Sequence, residues 1–159
     1  MQKKEEILQK FLVFLNELKI EDFYEKTDIA FIIKEREYTF PAMDEKGTSF
    51  QIYFFIYKLA GFLSKKIRYS NGRLIVNSFS LPDLANFLER QVTNNWEIYL
   101  SHILKEPDWQ FVLLSSLAFQ LEQKADFDDS ALQTKWAMHV LKSIHPGFNA
   151  TLLPLLWPY

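Results

Sequence analysis

The side chains best equipped for chemistry in this 159-residue sequence are three histidines, His102, His139 and His145, and a run of carboxylates, Asp126, Asp128 and Asp129. Two imidazoles hold one metal when they stand four apart on a helix face. His139 and His145 are six apart across an expected helix end, and the chain has no cysteine to help them. The carboxylates have the oxygen ligands a hard cation takes, but the glycine at the sixth position of a calcium loop and its closing glutamate are both missing. Standing just before an expected helix, they are read as capping groups that complement the positive end of the helix dipole. The four glycines, Gly47, Gly61, Gly72 and Gly147, stand singly, so no phosphate loop of the GxGxxG or GxxxxGK(S/T) kind can be written. No GxSxG nucleophile elbow occurs either. The expectation is no metal, no cofactor and a non-enzymatic chain, with catalysis left only to residues distant in sequence that converge in the fold.

The clearest asymmetry is electrostatic. From Gln51 to Pro82 there is no Asp or Glu, while Lys58, Lys65, Lys66, Arg68 and Arg73 are all cationic. A net charge of −2 gives no global attraction to phosphate or anionic lipid, so a nucleic-acid contact would be local. Its candidate residues are Lys65, Lys66, Arg68 and Arg73, beside the ring of Tyr69. The competing reading makes Lys65 and Lys66 complements of a helix C-terminus and leaves the arginines to solvate a hairpin.

These residues must be positioned by secondary structure that is mostly helical. Ile7, Phe11, Leu12, Phe14, Leu15 and Leu18 recur at intervals of three and four, which predicts an amphipathic helix from Lys3 to Ile20. Ile29 to Ile33 reads as a short strand, and Thr39 to Gly47 as a loop. Phe50 to Lys65 is apolar almost all the way round as a helix, the pattern of a helix at the centre of a domain or against a partner. Ile67 to Tyr69 and Arg73 to Val76 flank Asn71-Gly72, a pair tolerant of positive φ, and predict a β-hairpin. Pro82 suits the first turn of a helix reaching Val92. Three more helices follow, through Trp96 to Leu104, through Trp109 to Leu121 after Pro107, and through Leu132 to Leu141, stopping at Pro146-Gly147.

The order helix, Lys65-Lys66-Ile67-Arg68-Tyr69, Asn71-Gly72, Arg73-Leu74-Ile75-Val76, helix is similar to the wing region of winged-helix domains. The likeness covers about a fifth of the chain. Pro41 to Gly47 does not supply the short helix and tight turn that such domains place before their recognition helix, so the family's function is not carried over.

The sequence is hydrophobic at 48% and unusually aromatic at 16%, which predicts one core and a single domain over 1–159. The fold class expected is mainly α, or α+β if the hairpin is counted, with a winged-helix-like element. The most apolar run, Phe50 to Leu63, is too short for a bilayer and is interrupted by Gln51 and Lys58, so no membrane span is expected. With no cysteine and no signal peptide at the N-terminus, a cytoplasmic location is expected. The tail at 151–159 carries Leu152, Leu153, Leu155, Leu156 and Trp157 between two prolines and should dock on the core or on a partner. The functional expectation is a protein-interaction or regulatory module that offers its aromatic helix or this tail to a partner or to itself. The alternative is a nucleic-acid-binding regulator that uses the basic hairpin.

Overall fold

The computed structural model describes residues 2–17, 51–70, 73–76, 81–92, 96–123 and 129–142, with backbone alone at 2–3, 67–70, 73–76, 81, 91–92 and 107–108. The helices among the described residues are α1 (Gln2–Asn16), α2 (Gln51–Lys66), α3 (Leu81–Phe87), α4 (Trp96–Lys105), α5 (Pro107–Glu122) and α6 (Ser130–Trp136). Both α3 and α6 continue directly into a π turn, over Leu88–Val92 and Ala137–Leu141. The described part is mainly α. Between α2 and α3 the backbone of β1 (Ile67–Ser70) runs antiparallel to β2 (Arg73–Val76), with Ile67 opposite Val76 and Ser70 opposite Arg73. The Asn71-Gly72 turn, the expected strand at 29–33, the loop at 39–47 and the tail at 151–159 lie outside the described residues.

The core is arranged around α2, which buries ten of its sixteen residues. Tyr53, Phe54, Phe55, Ile56 and Tyr57 are five in succession with no exposed surface, so every side of the helix there meets another element. Their rings reach different neighbours. Tyr53 meets Trp109 of α5 edge-on at 5.0 Å between centroids, and Phe55 meets Tyr99 of α4 at 5.0 Å. Phe54 and Tyr57 enclose Trp136 of α6 at 6.3 and 4.8 Å, and Phe62 stacks on Phe87 of α3 at 4.4 Å. Burial of each large apolar side chain contributes about 1.5–3 kcal/mol, which offsets the weak helix propensity of the β-branched and aromatic residues in α2.

A second helix shares the centre. In α5 the seven residues Phe111 to Leu117 are all buried, including Ser115 and Ser116, and α5 is the principal packing partner of α2. The amphipathic α1 closes one side, burying Ile7, Leu8, Phe11 and Leu15 and lying against α4 and β2.

Local chemistry sets the corners. A single residue, Glu106, separates α4 from α5, and its extended backbone (φ −118°, ψ 116°) is the conformation a following proline imposes. Pro107 then opens α5, where its missing N–H costs nothing. Gln110 reaches back and donates from Nε2 to the Leu104 carbonyl at 3.2 Å, satisfying an orphan acceptor at the end of α4. At the start of α6 the Asp129 carboxylate accepts from the Ala131 N–H at 2.7 Å, so the capping role expected of the acidic run is carried by its last member.

A buried polar bond crosses the core from Trp136 Nε1 to Ser116 Oγ at 3.0 Å. Ser116→Ala removes that acceptor and is expected to lower the unfolding free energy by about 1–3 kcal/mol, read from urea melts with an unchanged m value. In a Trp136→Phe background, where the donor is already gone, the same change should cost far less. Equal costs in both backgrounds would show that the bond contributes nothing.

Candidate functional site

The residues of α2 that escape burial form a pattern. They are Gln51, Lys58, Phe62, Ser64, Lys65 and Lys66. At about 100° per residue, all but Ser64 fall within one arc about 100° wide, which the buried Phe55 interrupts between Gln51 and Lys58. Ser64 lies off the stripe and donates to the Gly61 carbonyl at 2.8 Å. The solvent side of the central helix therefore carries three lysines and no acid.

Neighbouring elements fix both ends of this stripe. At its start Tyr99 donates from its hydroxyl to Gln51 Oε1 at 3.0 Å. Towards its end the Phe62 ring, stacked on Phe87, forms a platform for Lys66, whose Nζ lies 5.9 Å from the Phe62 centroid. A cation so placed on an aromatic face gains about 0.5–1 kcal/mol at an exposed site. Lys65 is exposed, and β1 begins one residue after Lys66.

The register of the ribbon adds the two arginines. Side-chain positions alternate between the faces of a strand, so positions 68 and 70 of β1 share a face with 73 and 75 of β2. Arg68 and Arg73 thus occupy one face, while the positions of Ile67, Tyr69, Leu74 and Val76 make the other. Of the ribbon the backbone alone is described, so register is all that is placed there. Lys65 and Lys66 are brought together with Lys58 on α2, and Arg68 and Arg73 with each other on the ribbon.

The other singled-out residues do not converge. His102 is exposed, with Nδ1 3.7 Å from Glu106 Oε1 one turn on. His139 is also exposed, its ring 5.7 Å from that of Phe119. Among the described residues no three His, Cys, Asp or Glu side chains come together as a metal site would require. His145, Asp126, Asp128 and the tail residues Leu152, Leu153, Leu155, Leu156 and Trp157 lie outside the described residues. An open groove of about 490 Å³ runs between α5 and α6, with Phe119, Lys135, Met138 and His139 in its lining. Among the described residues no helix is long and apolar enough to cross a membrane.

Two features escaped sequence reasoning. Lys58 belongs to the stripe, and the signal was present, since it stands seven residues before Lys65 on the same helix face. The second is an ionic tie in which Lys4 Nζ of α1 lies 3.5 Å from Glu89 and 3.9 Å from Glu97, above the Trp96 ring at 5.3 Å. Its partners are more than eighty residues away in sequence, and no local pattern announces them. No protein-family model matches the chain, and no curated protein or solved structure matches it.

Burial raises the Tyr99 phenol above its ordinary value of 10.0. The folded chain thus favours the neutral phenol, whose hydroxyl is the donor to Gln51. The stability it contributes is whole below the unfolded value and is lost as pH rises through the folded one. Urea midpoints of the wild type should fall more steeply than those of Tyr99→Phe above a pH of about 10. Parallel curves for the two proteins would contradict this.

Proposed function

We propose that the chain is a non-enzymatic interaction module that meets an anionic partner on the lysine side of α2 and the adjoining ribbon. The observation carrying this reading is the single solvent stripe of α2, which presents Lys58, Lys65 and Lys66 within a stretch, Gln51 to Pro82, that has no acid. The aromatic helix does not supply the contact, because its rings are used inside the chain's own core. Among the described residues it is the charged side of that helix that faces outward. Five of the eighteen basic residues and none of the twenty acidic ones fall in this stretch, leaving thirteen basic against twenty acidic elsewhere. A strongly asymmetric surface orients an incoming anion, because the remainder of the molecule repels it. A reducing, cytoplasmic setting belongs to the same proposal, since a chain without cysteine needs no oxidising compartment.

Retention on an immobilised sulfated polysaccharide at low salt tests the reading with a generic polyanion. The wild type should be retained despite its net negative charge, and Lys65→Gln with Lys66→Gln should elute at clearly lower salt. Lys10→Gln with Lys105→Gln, which removes two exposed cations elsewhere, should elute with the wild type. Passage of the wild type through the column, or equal shifts for both double variants, would overturn the proposal.

A further inference from the structure

We infer that the anionic partner is the phosphate backbone of a nucleic-acid duplex, an inference that rests on the reading above and names its partner. Three observations favour phosphates over a lipid surface or an acidic protein.

The first is the spacing of the lysines along one face of α2. Lys58 and Lys65 stand seven residues apart on one face of α2, about 10 Å along the axis, and the chain passes from Lys66 directly into the ribbon that carries Arg68 and Arg73. A duplex presents one phosphate per about 3.4 Å of axis on each strand, so a row of this length faces about three phosphates of one strand. Charges spaced along one helix face match a regularly charged rod.

The second observation concerns apolar groups. A helix that binds a bilayer surface pushes rings or leucines into the acyl boundary beside its lysines. On this stripe the single ring is Phe62, and it is engaged, stacked on Phe87 at 4.4 Å with Lys66 above it. Among the described residues the exposed large apolar side chains are Val13, Ile98 and Met138, on α1, α4 and the π turn after α6, none of them on α2.

The third is the kind of cation. The ribbon contributes two arginines to one face, and the planar guanidinium forks onto phosphate oxygens in two parallel hydrogen bonds. Lys58 and Lys65 have partners within the chain, and the inference does not require them to be free; it rests on the excess of basic residues over acidic ones in the stretch Gln51 to Pro82. Its boundary is set by α3, where Asp83 and Glu89 follow. Electrostatic contact of this type positions a duplex without reading its sequence.

The test is fluorescence anisotropy of the full chain with a labelled duplex of about one and a half to two helical turns, titrated over a range of potassium chloride. With four or five cations engaged, log K should fall against log salt with a slope of about −4. Arg68→Glu with Arg73→Glu should weaken binding at least tenfold at fixed salt and flatten the slope, while Lys10→Gln with Lys105→Gln should change it less than twofold. Circular dichroism melts of each variant establish that the fold is retained, and Arg68→Gln with Arg73→Gln, giving a smaller loss in the same direction, separates charge from misfolding. Parallel arms use phosphatidylserine vesicles and polyglutamate. Salt-sensitive duplex binding that is lost in the arginine variants supports the inference. Binding to vesicles or polyglutamate without duplex binding overturns the nucleic-acid partner and leaves the anionic reading standing. Binding to none of the three overturns both.

Discussion

The constraint on which the rest of this structure depends is that α2 must be enclosed on all but one narrow side. Five consecutive residues with no exposed surface cannot be satisfied by one neighbour, because successive side chains leave a helix about 100° apart. Four of the other helices are therefore set against α2 by individual ring contacts, while α1 lies against α4 and β2. Trp109 brings in α5, Tyr99 α4, Trp136 α6 and Phe87 α3. Edge-on and tilted ring pairs have preferred geometries beyond their buried area, which fixes relative orientation as well as distance.

The polar groups of the core are only partly matched. The Trp136 to Ser116 bond is buried, but among the described residues Ser115 Oγ, Gln120 Nε2, Trp96 Nε1 and Glu97 Oε2 are buried without a hydrogen-bond partner. Each such atom costs about 1–3 kcal/mol of desolvation that is not returned. Apolar packing has to offset those costs. The same imbalance explains why α5 can run buried through two consecutive serines. Its flanking residues, Phe111 to Leu114 and Leu117, contribute more than the serines cost.

Periodicity made the helices legible in the sequence because each is long enough to repeat its pattern. The full apolar circumference of Phe50 to Lys65 marked a central helix, and Pro107 marked the start of α5. The second central helix was less legible, since Ser115 and Ser116 look like a solvent face until the position of Trp136 is known. The π turns after Phe87 and Trp136 left no mark either. A π turn is set by how a helix end packs, which a local window of residue types does not contain. For the site, charge counting over Gln51 to Pro82 found the cations but not their grouping. Lys58 joined the stripe only when burial removed every other side of α2. The aromatic excess had pointed equally to an interface, and composition does not distinguish rings buried within one chain from rings offered to another.

The central helix and the candidate surface are thus one element read from two sides. Inward, the rings of α2 hold the fold. Outward, one stripe is left, and its lysines take little part in packing because Lys65 is exposed and Lys66 rests on a ring already anchored by Phe87. Exposed ion pairs and helix-end cations each contribute only about 1 kcal/mol or less. Charge on this stripe can therefore be removed at a stability cost far below that of losing a single buried ring, about 3–5 kcal/mol. The charge of this stripe and the rings beneath it are thus separable, and substitutions on one side can be made without emptying the other.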